Sequence, residues 1–180
     1  MNLFYIGIDN PITVAMAGIP SEKVKVSCED CGIKNLGNGH YNVQIKSVGK
    51  KIIKVEADGI APKEIEYRVK RIPDPIAMIN FSSGGAFGVG HFKQQNKIRA
   101  HLSGWPLEEQ CEVLGFVVTR QSKMKDPIEV KNEGDNFSET TLELFESIQT
   151  GDVVYFDNIL CKCPGDPNSR KINSMVFKMR

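Results

Sequence analysis

Apolar side chains recur at every second position through much of the first seventy residues: Val24 and Val26, then Tyr41, Val43 and Ile45, then Ile53, Val55 and Ala57, then Ile65, Tyr67 and Val69. A period of two marks a strand with one buried face, because successive side chains leave a strand on opposite sides. With the opening runs Leu3–Ile8 and Ile12–Ala17, the pattern predicts six or seven strands, and half-buried alternation predicts that they pair antiparallel. Asp9-Asn10-Pro11, Gly18-Ile19-Pro20, Gly37-Asn38-Gly39, Gly49-Lys50 and Asp58-Gly59 fall between the runs and read as turns, and the stretch from Glu29 to Gly39 reads as a loop. Short strands at this spacing predict an immunoglobulin-like sandwich.

Arg71-Ile72-Pro73-Asp74-Pro75 interrupts the alternation. Two prolines one residue apart lack amide donors and hold the residue between them out of the helical region, so Arg71, Pro73, Asp74 and Pro75 read as a short, stiff interdomain linker. Beyond it, Ser82-Ser83-Gly84-Gly85 with Gly88 and Gly90 reads as a run of turns, and Phe92–Leu102 as either a short helix or a loop feeding a strand. Glu112–Thr119 reads as a strand kinked at Gly115. Thr140–Ile148 changes period: Leu142, Phe145 and Ile148 recur at three-residue intervals, which predicts a helix capped by Ser138, with Glu139 and Glu143 near its positive end and Gly151 beyond its last turn. Val153–Leu160 and Lys171–Met179 read as a closing hairpin with a long loop. The expected fold class is therefore mainly β: two tandem immunoglobulin-like β-sandwich domains, residues 1–72 and 73–180, the second β-rich with one or two short helices, one of them near 140–148.

Composition narrows the function classes. Hydrophobic residues make up 41% of the 180 and charged ones 25%, the usage of an ordinary folded protein. A net charge of +1 offers no field to attract nucleic acid, and Lys50, Lys51 and Lys54 read as a solvated strand edge. The first residues carry no basic stretch and too short an apolar run for a signal peptide or a membrane span. The expectation is either a cytosolic protein or part of a longer one whose targeting and membrane elements lie upstream, with no direct membrane contact by this chain.

Few residues suggest chemistry. Cys28-Glu29-Asp30-Cys31 places two thiols where they could share a metal, form a redox pair or close a local disulfide, but a tetrahedral zinc site needs two more ligands and no second such pair follows. Five cysteines, with Cys111, Cys161 and Cys163, cannot all pair within one chain. His40, His91 and His101 have no nucleophile in a motif with them, the glycines from Gly84 to Gly90 lack a phosphate-loop lysine, and Asp126 with Glu129 carries no spacing that marks a glycosidase. No catalytic residue, cofactor or metal site is expected, and the chain does not read as an enzyme. Trp105 reads as a possible partner surface. A second reading, different in class, is a stand-alone soluble metal or redox protein using Cys28 and Cys31.

Three segments carry a resemblance. Tyr5-Ile6-Gly7-Ile8-Asp9-Asn10-Pro11-Ile12-Thr13-Val14 with Gly18-Ile19-Pro20-Ser21-Glu22-Lys23-Val24, then Tyr67-Arg68-Val69-Lys70-Arg71-Ile72-Pro73-Asp74-Pro75-Ile76-Ala77, then Gly165-Asp166-Pro167-Asn168-Ser169-Arg170-Lys171-Ile172-Asn173, resemble in that order the C-terminal region of the GldM and PorM family of gliding-motility and type IX secretion proteins. The resemblance covers nearly the whole chain. It implies an interaction module at the periplasmic end of a membrane-anchored motor shaft, built as a homodimer of stacked β domains and docking protein partners of an outer-membrane-associated ring, with no catalytic residues.

Overall fold

The computed structural model describes residues 2–104 and 111–180. The chain divides into two compact units, Met1–Ile72 with Pro164–Asp166, and Pro73–Cys163 with Pro167–Arg180. Strands account for 54% of the chain and helices for 9%, which makes it mainly β, as the alternation predicts.

The first unit holds β1 (Leu3–Tyr5), β2 (Asp9–Thr13), β3 (Lys25–Cys28), β4 (Cys31–Gly37), β5 (His40–Ile45), β6 (Gly49–Ala57) and β7 (Ile60–Lys70). One sheet runs β1-β7-β6-β3 and the other β2-β5-β4. Lettered A to G in chain order, these are A-G-F-C over B-E-D, an immunoglobulin sandwich whose first strand lies on the C-F-G sheet. The alternating residues meet between the sheets: Val43 and Ile45 of β5 pack with Phe4, Ile53, Val55 and Val69 from the other sheet, and Phe4 stacks on Tyr67 with ring centroids 4.0 Å apart.

Three expectations for this unit change. Asp9-Asn10-Pro11 is not a turn but the start of β2; the chain reverses at Gly7, whose φ of 77° suits glycine. Asn10 is only 5% exposed, and its amide nitrogen donates to the carbonyls of Tyr5, Ile8 and Val43 while its oxygen accepts from the Tyr5 N–H. A residue type common in turns thus serves here as a fully bonded buried bracket. The stretch from Glu29 to Gly39 is a tight turn followed by edge strand β4, not a loop. Pairing is also not uniformly antiparallel, since β1 runs parallel to β7, Leu3 opposite Arg68 and Tyr5 opposite Lys70.

The second unit holds β8 (Ile76–Met78), β9 (Gly85–Phe87), α1 (Val89–Lys93), β10 (Arg99–His101), β11 (Glu112–Gln121), β12 (Ile128–Glu133), α2 (Glu139–Glu146), β13 (Val153–Lys162), β14 (Arg170–Lys171) and β15 (Met175–Met179). Its main sheet runs β12-β11-β13-β15-β9 with β14 on β13, and β8 pairs with β10 in a small second sheet. Here too one pair, β9 with β15, is parallel. Phe92 of α1 and Leu144 and Phe145 of α2 pack on the inward residues Val118, Phe156 and Phe177. Phe92 sits among Phe87, Phe145, Phe156 and Phe177 at centroid distances of 5.0 to 6.2 Å, inside the range where ring edges and faces attract.

Gly115 does kink its strand. The pairing with β13 shifts on both sides of it, so the buried set passes from Val113 to Phe116, Val118 and Arg120. A Cβ there would lie 2.8 Å from the Asn132 carbonyl oxygen. Ser138 caps α2 by accepting from the Thr141 N–H, but the helix faces the core differently from the expectation. Leu142 is 40% exposed, whereas Thr141, Leu144, Phe145 and Ile148 are buried, the spacing of one helical stripe. Asn132, 3% exposed, fixes the helix entry: its side-chain oxygen accepts from the Ser138 N–H and the Thr141 hydroxyl, and its nitrogen donates to the carbonyl of Asn136.

Candidate interaction surfaces

The predicted linker residues belong to no strand or helix. Arg71, Pro73 and Asp74 are exposed and Pro75 is buried. Asp74 is tethered within the second unit, its carboxylate accepting from the Arg170 guanidinium at 2.7 Å.

Cys28 and Cys31 are joined in a disulfide across the turn between β3 and β4. Among the described residues no group of three His, Cys, Asp or Glu side chains converges on a metal-sized site, and two sulfurs bonded to each other are not thiolate ligands. Trp105 lies outside the described residues. His40 shares a 3.2 Å hydrogen bond with Thr13 on the first sandwich, and in the second unit His91 lies on α1 and His101 on β10.

A second disulfide, Cys111–Cys163, joins residues 52 apart. The β11–β13 register explains it: Val113 faces Cys161 and Glu112 faces Lys162, so one step further brings Cys111 and Cys163 opposite each other. Cys161, on β13 two residues before Cys163, is fully buried, and Cys163 just beyond the strand is buried as well. The sequence carries no spacing that marks this bridge; only the register does.

The main sheet of the second unit turns its other face outward. Val117, Thr119 and Tyr155 are half-buried there, while Leu114, Leu160 and Val176 are 38 to 40% exposed. Two loop tips expose far more apolar surface: Phe81 is 87% exposed and Met124 94%. Reading the glycine-rich opening of this unit only as turns leaves Phe81 unremarked. The signal available was a bulky apolar residue directly after Asn80 and immediately before the turn-rich run that begins at Ser82.

One buried polar group organises the end of the sheet where β11 finishes and β13 begins. Asp152, 5% exposed, accepts at 2.8 Å from Arg120, itself 8% exposed, and at 2.9 Å from the Gln149 N–H. Burial pushes its carboxyl up, but the hydrogen bonds from Gln149, Arg120 and Ser122 and the Arg120 charge outweigh that and hold it below the ordinary value. Arg120 also donates to Ser147 just after α2, so the cluster ties helix to sheet. It serves the fold and presents no open reacting group.

Comparison with known proteins follows this division. The family model described as the GldM third domain matches residues 1–70, and that described as the GldM C-terminal domain matches residues 73–180. No curated protein matches the chain. Among solved structures, the IG1 and IG2 domains of DIP-gamma align at 8% identity over 99% of this chain and 92% of that one, with a TM-score of 0.27. Human mucin-like protocadherin EC1-2 aligns at 8% identity over 99% and 95%, with a TM-score of 0.21.

Proposed function

The chain belongs to the GldM family, and from that membership we propose that it is a non-enzymatic structural module of a gliding-motility and type IX secretion machine. In this reading it forms the periplasmic end of a motor shaft, works as a homodimer, and docks protein partners of an outer-membrane-associated ring. The observation that carries the reading is the succession of two matches, third domain then C-terminal domain, over residues 1–70 and 73–180. Two disulfides support the compartment, because such bridges persist in oxidising surroundings such as the periplasm. Among the described residues no helix is long and apolar enough to cross a membrane.

The metal alternative is not favoured, because Cys28 and Cys31 bond to each other and among the described residues no group of three His, Cys, Asp or Glu side chains gathers around a metal-sized site. Deleting Pro73–Arg180 from the parent protein in cells tests the proposal. Gliding and type IX secretion should be lost while the truncated parent stays membrane-inserted at normal abundance. Unchanged motility and secretion would refute it. Light scattering of the full chain at rising concentration tests the dimer.

A further inference from the structure

Eight of the nine phenylalanines lie in or against the two cores; the ninth, Phe81, is 87% exposed. It stands on a two-residue turn between Ile79 and Ser82, closed by reciprocal backbone hydrogen bonds of 2.9 Å. Asn80 has φ 46° and Phe81 φ 61°. A reversal with both central residues at positive φ favours Asn-Gly, since glycine has no Cβ to clash. Asparagine tolerates the region; a bulky aromatic is an outlier there.

The same departure recurs at Met124, with φ 57° in a turn where the Lys125 N–H reaches the Ser122 carbonyl at 3.4 Å. Apart from glycine, the positive-φ residues are Asp30, Asn38, Asn80 and Asn158, all of the tolerant types, plus Phe81 and Met124. These last two are also the most exposed large apolar residues among the described ones. Folding alone rewards neither the strained backbone nor the exposed ring. Met124 is a flexible side chain between two lysines, whereas Phe81 is stiff and firmly based: Ile79 beneath it is fully buried and the Ser82 hydroxyl donates to the Gly84 carbonyl at 2.8 Å. A rigid aromatic on a fixed base loses little freedom on binding.

We infer that Phe81 is a docking anchor that seats in an uncharged apolar pocket on a different protein; this rests on the docking role proposed above. The chemistry around it selects that occupant. Along the chain no Asp, Glu, Lys, Arg or His occurs from Pro75 to Gly90, and the ring is flanked by Asn80, Ser82 and Ser83; on the paired strand β10 one cation, Arg99, stands opposite Met78. A lipid surface calls for several apolar groups with cations beside them, and nucleic acid calls for cations. A single ring bordered by neutral hydrogen-bonding groups matches a protein pocket with a polar rim, and acts as one hot spot within a larger interface.

The test combines stability with contact. In the full chain, Phe81→Gly creates the favoured Asn-Gly turn, so Tm should hold or rise by about 2–4 °C. In the parent protein in cells, the same change should abolish gliding, and a benzophenone side chain placed at position 81 should photo-cross-link to an apolar pocket, mapped by mass spectrometry, on one other protein. A fall in Tm would make Phe81 a structural residue and overturn the inference. So would cross-links confined to lipid or to a second copy, or wild-type gliding in Phe81→Gly. If that variant glides while deletion of Pro73–Arg180 stops gliding, the anchor fails and the module reading stands; if both glide, both fail.

Discussion

Removing the Cys111–Cys163 bridge should cost the chain more than any other change to its cysteines. In the chain-entropy account, a cross-link stabilises by restricting the unfolded state, and its effect grows with the logarithm of the loop it closes. A separation of 52 residues gives about 4 kcal/mol, whereas the three-residue separation of Cys28 and Cys31 gives about 2 kcal/mol. Cys111 and Cys163 are 7% and 2% exposed, so alanines there also leave small gaps that add to the loss. Urea unfolding followed by circular dichroism should place the Cys111→Ala/Cys163→Ala protein about 4 kcal/mol below the oxidised chain and its Tm roughly 15 °C lower. The Cys28→Ala/Cys31→Ala protein should lose about half as much, and reducing the wild type without substitution should separate bridge from packing. Equal losses for the two pairs, or less than about 1 kcal/mol at Cys111 and Cys163, would show that the loop argument does not govern this fold.

Asp152 should give the chain an acid-sensitive component of stability. Its folded pKa lies below the unfolded one, so its contribution is complete above about pH 4 and is lost as pH falls through the lowered value; Asp152→Asn should flatten stability against pH in that acid range. Arg120→Ala leaves the Asp152 carboxylate buried without its cation and should cost about 3–5 kcal/mol in denaturant unfolding. Gly115→Ala brings a Cβ against the Asn132 carbonyl oxygen and should cost about 1–3 kcal/mol, with a lowered Tm as the readout. Pulling the first unit between Asn2 and Ile72 in a force microscope should require more force than pulling it between Val48 and Ile72, at the open end of the β6–β7 hairpin, and the reverse ranking would contradict the pairing of β1 with β7.

What the sequence made legible was whatever local periodicity or stereochemistry controls. Tyr41, Val43 and Ile45 announce β5 because a half-buried strand must alternate, Gly115 announces a break because only a missing side chain admits the Asn132 carbonyl, and Ser138 announces the cap of α2. β4 escaped because an edge strand rich in Gly, Lys and Asn, Cys31-Gly-Ile-Lys-Asn-Leu-Gly, half-buries only Cys31 and Ile33 and so lacks a long apolar rhythm. The helix was legible but its face was not: a count at strict intervals of three selects Leu142, whereas a turn of 3.6 residues brings Thr141 in line with Leu144, Phe145 and Ile148. Pairings between distant residues had no local signal at all, which is why Cys111–Cys163 and the parallel partners of β1 and β9 emerge only with the register.

Those parallel pairs bear on how such a module could carry force. In the first unit β1 leads the chain in and β7 leads it out, and the two lie side by side with Leu3 at Arg68 and Tyr5 at Lys70. Bonds from Ile6 N–H to the Lys70 carbonyl and from Arg68 N–H to the Asn2 carbonyl extend the ladder at both ends. When two parallel strands are drawn apart along their length, their cross-strand bonds are strained together, and none can give way before the others share the load. An antiparallel hairpin such as β6 with β7, pulled from its open end, loses its bonds one after another. A fold whose entering and leaving strands shear instead of unzipping resists extension with few hydrogen bonds. The shaft role proposed above sets that same requirement, because a module in a shaft must stay folded while passing tension on.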